Sequence, residues 1–271
     1  MNSLSLLFTN TLKEIGTQCK GFKKIFVNFI SHFSRLVFQK SVKVTGVKSG
    51  RHISCVSPDR VWINDGQNLT LTDASGHNLD QLTDITSGYG IHTVNFYDDL
   101  IYIDREKNIN KLSTENKVKT TLIKYNTAPW RPQCVYSSPS NGDLLVGMCR
   151  GTRDTESLWN TERKTGNIVR YNATGKNIQT IEHDHNTGQR LYRLPNYITE
   201  NRNGDVIVSD GERYAVVVTD RDGKFRFSYR GPPSGSGLSP YGICTDALSH
   251  ILVCDSISGS VQMLDRNGNY L

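Results

Sequence analysis

The stretch Asp205-Val206-Ile207-Val208-Ser209-Asp210 decides the fold, because runs of this kind recur along the chain. Each run is short and largely apolar, most copies end in aspartate, and a second apolar run closed by a turn usually follows. A period of roughly forty residues carried by short strands is typical of β-propeller blades. The other copies are Val61–Asp65, Ile101–Asp104, Leu144–Gly147 and Ile251–Asp255.

The repeat predicts an all-β chain with five visible four-stranded blades. The third blade has an insertion, Gly151–Gly166, between its second and third strands. The fifth ends within its fourth strand, which would leave an unpaired sheet edge of the kind that ring closure hides. We therefore expect a truncated six-bladed propeller, in which Ser41–Val47 would belong to the missing blade. The predicted propeller is 41–271, with blades at 52–85, 92–125, 132–184, 195–231 and 240–271.

Residues 1–40 do not belong to the repeat. Their apolar residues recur every three or four positions, which predicts a basic amphipathic helix. Polar residues such as Asn28 and Arg35 interrupt the apolar stretch, so a membrane span is not predicted. Four interpretations remain open: weak contact with a membrane surface through residues 12–38, a short coiled-coil seam, a non-native leader, and a helix without a partner. The stripe consists of Leu12, Ile15, Cys19, Phe22, Phe26, Phe29, Phe33 and Leu36.

The net charge of +6 is unevenly divided along the chain. Residues 1–48 carry seven lysines and Arg35 against the single acid Glu14, which gives +7. The remaining residues therefore carry −1, and the predicted propeller is close to neutral. Nucleic-acid binding would then have to depend on a local basic patch, because no global basic field exists.

The six cysteines show no C-x-x-C spacing, so no zinc finger, RING or B-box is encoded in this sequence. Most lie among Val and Ile in predicted strands, where a reduced cysteine behaves as a small hydrophobe. Cys244 and Cys254 could face each other across one hairpin, but no clear export signal accompanies them. We expect reduced cysteines, a cytoplasmic location, and neither a metal nor a cofactor. The six are Cys19, Cys55, Cys134, Cys149, Cys244 and Cys254.

Several blade sequences resemble the NHL repeat of tripartite-motif proteins, of the type expanded in bivalve molluscs. The resemblance covers about residues 41–271. It implies a propeller that binds the protein substrates of a ubiquitin ligase, whereas the absence of the zinc-binding modules speaks against ligase activity in this chain. The segments that carry it are Asp205–Asp210 with Val216–Gly223, Pro240–Asp246 with Ile251–Asp255 and Val261–Gly268, and the longer runs Trp130–Tyr136 and Tyr229–Gly237.

The repeated aspartates could suggest metal binding or acid–base catalysis. Each follows an apolar strand at the same place in its blade, however, where a short carboxylate accepts backbone N–H groups and fixes the turn. Some NHL-like propellers are lyases with histidines around a central zinc, which requires several histidines on the first strands. Aligning those strands predicts only one histidine among four equivalent positions, so catalysis is not expected. The aspartates are Asp65, Asp104, Asp210 and Asp255, and the aligned positions are His92, Gln133, Asn196 and Tyr241.

Aromatic residues and arginines are interleaved on the loops that link successive blades, hence on one side of the disc. Such residues suit protein hot spots, and they equally suit single-stranded RNA, through stacking and phosphate contacts. Alternatively, the aromatic residues could be wedges that pack between blades, while the arginines are only solvated. Protein binding is favoured over RNA because the propeller is nearly neutral. Convergence of Arg131, Arg193 and Arg230 beside open aromatic faces would favour RNA. The candidates are Tyr89, Trp130, Arg131, Tyr192, Arg193, Arg230 and Tyr241, with Trp159 in the insertion.

Overall fold

A computed structural model describes residues 44–47, 49–126, 129–151, 164–233, 235 and 237–271. The predicted leader helix and Trp159 lie outside these residues. The described part contains nineteen strands and no helix, in agreement with the all-β prediction. None of its elements is a helix that could cross a membrane.

The strands form five antiparallel sheets in which neighbours along the chain pair with one another. Four sheets have four strands and the last has three, so the five predicted blades are confirmed. In chain order the strands are His52–Ser57 (β1), Arg60–Asn64 (β2), Leu69–Asp73 (β3), Asn78–Leu82 (β4), His92–Val94 (β5), Leu100–Ile103 (β6), Ile109–Leu112 (β7), Lys119–Ile123 (β8), Arg131–Ser137 (β9), Leu144–Arg150 (β10), Thr165–Tyr171 (β11), Asn177–Ile181 (β12), Pro195–Glu200 (β13), Val206–Asp210 (β14), Ala215–Thr219 (β15), Phe225–Tyr229 (β16), Pro240–Thr245 (β17), Ile251–Asp255 (β18) and Ser260–Leu264 (β19).

Both faces of the blades are buried, which explains why their second strands are continuously apolar. On β14, Val206 and Val208 pack against the third blade, whereas Ile207 points to the opposite face and packs against the fifth. Successive side chains of a strand point to opposite faces, so adjacent residues contact different neighbouring blades. All three side chains are fully buried. Burial of each apolar side chain of this size stabilises the fold by about 1.5–3 kcal/mol.

The fifth blade has three full strands and the beginning of a fourth. Tyr270 makes an isolated antiparallel bridge with Leu264, and the Leu271 N–H donates to the Met263 carbonyl at 2.9 Å. The predicted incomplete fourth strand of this blade is therefore present as a single bridge.

The insertion of the third blade leaves and re-enters the sheet at adjacent points. Arg150 at the end of β10 is the register partner of Thr165 at the start of β11. The two strands stay paired from this point down to Leu144 and Tyr171. The insertion lies between the second and third strands, as predicted, but its predicted end at Gly166 is wrong, because Thr165 and Gly166 belong to β11.

The repeat register corrects one detail of the sequence alignment. Asp210 and Asp255 each lie two residues after a second-strand valine, Val208 or Val253, that packs against the preceding blade. In the third blade the corresponding valine is Val146, so Met148 holds the aspartate position and not Gly147. The alignment was wrong by one residue because this blade lacks the aspartate that marks the end of the run.

Candidate functional site: the loop face and the central cavity

The loops between blades and the turns between second and third strands lie on one side of the propeller. This arrangement follows from the antiparallel order of each sheet, since the first strand starts, and the fourth ends, on the side where the second strand meets the third. We call this side the loop face. Its interblade loops are 83–91, 124–130, 182–194 and 230–239.

The aspartates at the ends of the second strands cap turns on the loop face. Asp65 accepts the Gln67 and Asn68 backbone N–H groups at 2.9 and 2.8 Å. Asp104 accepts the Asn108 N–H at 2.8 Å. These are the contacts expected of a carboxylate that fixes a turn.

Asp210 also ties two loops together. Its carboxylate accepts backbone N–H groups of Glu212 and Arg213 in the following turn, at 3.1 and 3.0 Å. It accepts two more from Arg193 and Leu194 in the preceding interblade loop, at 2.6 and 3.1 Å. Burial raises the pKa of this carboxyl, and the hydrogen bonds oppose that rise. Asp210 therefore fixes the relative position of two loop-face segments.

Asp255 has the same double role in the fifth blade. It accepts the Ile257 N–H of the following turn at 3.1 Å and the Ser239 N–H of the preceding loop at 2.9 Å. The amide of Gln262 donates to it as well, at 3.0 Å. Burial acts to raise the pKa of Asp255, but hydrogen bonds, the largest contribution coming from Ser258, outweigh it and leave the pKa below its usual value.

The first strands of all five blades line one central cavity. The rings of His52 and His92 lie there with their centroids 4.4 Å apart. The Tyr197 ring contacts the His52 ring edge to face, with the two centroids 5.3 Å apart. The Nε2 atom of His92 lies 3.4 Å from the Trp62 carbonyl oxygen. The Nδ1 atoms of both histidines are buried without a hydrogen-bond partner among the described residues.

The alignment of the first strands was wrong, and it missed His52. His92 is the register partner of Tyr102, two residues before Asp104. In the next three blades the matching positions are those paired with Val146, Val208 and Val253, which are Val135, Ile198 and Ile243, and not Gln133, Asn196 and Tyr241. Register shifts between the first and second strands of these three blades place the matching residue two positions further along the first strand.

Burial keeps the two histidines neutral. Desolvation lowers the pKa of His92 to about 3, with the Trp62 carbonyl opposing it. Desolvation, followed by repulsion from His92, holds the pKa of His52 well below its usual value. The residues lining the cavity include no carboxylate, lysine or arginine. Within the described ranges no group of three or more His, Cys, Asp and Glu side chains could hold a metal ion.

The predicted aromatic residues of the loop face are largely engaged by the protein itself. Tyr192 is fully buried between the third and fourth blades, so its assignment as a ligand contact is corrected: it is a packing wedge. Trp130 is half-buried, and the Arg150 guanidinium lies 5.2 Å from its ring centroid. Arg131 is exposed beside Trp130.

Tyr89 and Tyr241 meet near the axis, although they come from different blades. Their rings contact edge to face with centroids 5.0 Å apart, and the Arg51 guanidinium lies 5.7 Å from the Tyr89 centroid. Both are half-buried and contact the core between the fourth and fifth blades. Their faces are thus partly covered.

Arginines converge where the third and fourth blades meet. The backbone N–H groups of Arg193 and Arg213 donate to the same Asp210 carboxylate. Burial lowers the pKa of the Arg213 guanidinium; Asp210 opposes this, and the positive charges of Arg230 and Arg193 lower the pKa further. The Arg230 Nη1 group donates to the Arg213 carbonyl at 2.7 Å. Arg131 lies nearby along the backbone, because its register partner Cys149 has its Sγ atom 3.4 Å from the Arg193 carbonyl oxygen.

Arg213 is not among the predicted site residues, which were assigned to the interblade loops and to the insertion of the third blade. It lies in the turn between β14 and β15, three residues after Asp210. The antiparallel order of the strands places such turns on the same face as the interblade loops. The strand pattern could therefore have identified it.

No disulfide joins the described cysteines, which are Cys55, Cys134, Cys149, Cys244 and Cys254. Cys244 is the register partner of Leu252, so it does not lie directly opposite Cys254. Burial raises the pKa of the Cys134 thiol well above its usual range. A thiol of this kind stays protonated and acts as part of the core. Cys19 lies outside the described residues.

Comparison with known proteins shows likeness in structure only. No protein-family model matches the chain, and no curated protein matches its sequence. A putative gluconolactonase structure is 15% identical with a TM-score of 0.57, covering 79% of this chain and 72% of that one. A streptogramin B lyase is 15% identical with a TM-score of 0.54, covering 79% and 64%. A calcium-binding regucalcin from Agrobacterium tumefaciens is 17% identical with a TM-score of 0.56, covering 79% and 69%.

The chain is a β-propeller. Identities of 15–17% show the fold alone and do not transfer the activities for which these proteins are named. None of the three is named as a tripartite-motif or NHL protein, so the resemblance in the blade sequences remains a proposal about function.

Proposed function

We propose that this propeller is a non-catalytic recognition module that binds a protein partner through its loop face. The resemblance to the substrate-binding propeller of a tripartite-motif ubiquitin ligase supports this function. The observation that carries it is the group of arginines at the junction of the third and fourth blades, where the Arg230 Nη1 group donates to the Arg213 carbonyl and the Arg213 Nη1 group to the Arg190 carbonyl. Arginine is among the residues most enriched in protein hot spots.

The central cavity supports a non-catalytic role. Two neutral histidines without a nearby carboxylate lack the oriented acid–base pair on which most side-chain catalysis depends. The cysteines of the described strands form no disulfide, which supports our placement of the protein in the cytoplasm, where thiols stay reduced.

Single-stranded RNA is the second candidate ligand. The contacts that bring Arg193 and Arg230 beside Arg213 favour it, since clustered arginines contact phosphates. The aromatic residues of the loop face do not favour RNA, because Tyr192 is buried and the Arg150 guanidinium lies over the Trp130 ring. Binding of successive bases needs open aromatic faces. We therefore rank RNA below protein.

A pull-down from lysate with the full chain tests both candidates. We expect the double variant Arg193→Ala/Arg230→Ala to lose most of the captured protein, roughly tenfold or more, because each arginine makes charge-assisted contacts. Partners are measured by quantitative mass spectrometry with and without ribonuclease. The double variant Lys224→Ala/Arg266→Ala is the control, since it removes two exposed positive charges from turns on the opposite face.

The control variant should capture the same proteins as the wild type. Capture that disappears after ribonuclease treatment would favour the RNA candidate. Capture that is equal for both double variants would show that this part of the loop face does not bind the partner.

In a ubiquitination assay with activating enzyme, conjugating enzyme and ubiquitin, we expect the isolated chain to form no ubiquitin chains. Transfer requires a domain that positions the loaded conjugating enzyme, and the zinc-binding spacing of a RING is not encoded in this sequence. Chain formation is measured by immunoblot, with a RING ligase as the positive control. Robust chains formed by the wild type would contradict a non-catalytic role.

A further inference from the structure

The junction of the third and fourth blades holds like charges together on a rigid base. Asp210 accepts the backbone N–H groups of Arg193 and Arg213 at 2.6 and 3.0 Å, so the two loops that carry these arginines cannot separate freely. The Arg213 Nη1 group donates to the Arg190 carbonyl at 2.8 Å, and Arg230 donates to the Arg213 carbonyl. Backbone carbonyls therefore hold the Arg213 and Arg230 guanidinium groups, and the bond from the Arg193 N–H to Asp210 fixes the Arg193 backbone beside Arg213.

The nearby carboxylates are used elsewhere. Glu182 forms an ion pair with Arg190, and Glu212 forms one with Lys164. The Asp210 carboxylate is buried and is occupied by four backbone donors. Among the described residues no salt bridge to Arg193, Arg213 or Arg230 is present, and the buried Nε atom of Arg213 has no hydrogen-bond partner.

The positive charges of Arg193 and Arg230 repel that of Arg213. Like charges held together by backbone contacts cost free energy unless an anion binds among them. Such repulsion, built into a fixed part of the fold, is characteristic of a ligand site more than of a structural contact. A phosphate monoester carries a charge of about −1.5 to −2 and three strong acceptor oxygens, and arginine binds it with two parallel hydrogen bonds. A single carboxylate would neutralise less of this charge.

We propose that Arg193, Arg213 and Arg230 form a binding site for one phosphorylated side chain of a protein partner. This inference rests on the proposed function, because it specifies the chemistry that the loop face would recognise. The site is one compact cluster, which fits one phosphate better than a long polyanion. Tyr214 is 58% exposed beside Arg213 and offers one ring to residues flanking the phosphate.

RNA fits this junction less well. A strand of RNA needs successive phosphate contacts and successive stacking rings, whereas Tyr192 is buried and the Trp130 ring is covered by Arg150. The loop face also belongs to a nearly neutral propeller. A phosphopeptide needs only one anionic contact and a neutral surface on either side.

The test is binding of the full chain to a degenerate peptide library with one fixed phosphoserine, compared with the same library carrying serine. We expect at least tenfold tighter binding of the phosphorylated library, measured by fluorescence anisotropy. Arg193→Ala/Arg230→Ala should remove this preference, a loss of roughly tenfold per arginine. Arg193→Lys/Arg230→Lys should retain part of the preference, since lysine keeps the positive charge but cannot form the two parallel hydrogen bonds of a guanidinium group. Lys224→Ala/Arg266→Ala should bind as the wild type does.

The side-chain truncations leave the backbone bonds to Asp210 in place, and an unchanged thermal unfolding midpoint verifies that they fold. Equal binding of the two libraries would overturn the phosphate site. So would tighter binding of a single-stranded RNA oligonucleotide, with the same loss in the alanine variant. If the libraries bind equally while the pull-down still depends on Arg193 and Arg230, the phosphate inference fails and the proposed function stands. If neither experiment depends on these arginines, both fail.

Discussion

Replacement of Asp210 by alanine is expected to lower the free energy of unfolding by about 3–5 kcal/mol, one of the largest effects of any single polar substitution in this propeller. The carboxylate accepts four backbone N–H groups from two loops, and it is fully buried. Alanine would leave these donors without an acceptor in a place that water does not fill. Urea unfolding followed by tryptophan fluorescence measures the change.

Asp65→Ala is the matched control, because Asp65 holds the same place in its blade but accepts only two N–H groups in an open turn. We expect this variant to lose no more than about 1 kcal/mol. Asp210→Asn keeps the volume and replaces one acceptor oxygen with a donor, so it should also destabilise the protein. Equal stability of Asp210→Ala and Asp65→Ala would refute the role of Asp210 in joining the loops.

Acidification from pH 7 to pH 5 is expected to lower the free energy of unfolding by about 4 kcal/mol, about 2 from each central histidine. The folded-state pKa values of His52 and His92 lie below the ordinary value of 6.5, so only the unfolded chain takes up protons on these side chains in this range. Proton uptake by the unfolded state alone favours unfolding. Stability therefore falls as the pH drops below about 6.5.

The double variant His52→Leu/His92→Leu should show a flatter dependence on pH over the same range, because it has no central imidazole left to titrate. Urea unfolding at several pH values between 7 and 5 gives the slopes. Restricting the range to pH 5 and above keeps it clear of carboxyls whose pKa is lowered by hydrogen bonds, such as Asp73 and Asp265. An unchanged slope in the variant would show that the cavity histidines are not the source.

The blades could be predicted from sequence because their second strands repeat a simple physical requirement. Val206, Ile207 and Val208 must all be apolar, since each faces one or the other neighbouring blade. The same requirement recurs in every blade at a nearly constant spacing. The fold class and the five visible blades follow from it, whereas the expected sixth blade has no counterpart among the sheets of the described residues.

Register could not be predicted, because local shifts between first and second strands leave no clear sequence signal. One such shift lies between Pro195 and Tyr197, and another between Pro240 and Ile243. They moved the assigned positions by two residues, from Asn196 to Ile198 and from Tyr241 to Ile243. A pattern of period two cannot locate an extra residue in a strand whose side chains are buried on both faces.

The candidate site was predicted in part. Interblade loops could be recognised as one face, and that placed Arg193 and Arg230 together. The burial of Tyr192 could not be predicted, because a tyrosine followed by an arginine in the sequence does not indicate whether the tyrosine side chain points into the core or towards solvent. The contact depends on neighbouring strands that are distant in sequence, such as those of the third and fourth blades.

The pairing of Arg150 with Thr165 makes the third blade a place where new sequence can be accepted without rebuilding the scaffold. Both ends of the inserted segment are held one strand spacing apart by a ladder that continues to Leu144 and Tyr171. The entropy of closing such a loop grows only slowly with its length, about 0.6 kcal/mol for each doubling. Evolution, or an engineer, could therefore exchange this segment for another of different length and keep the propeller, so that stability and specificity can be varied independently.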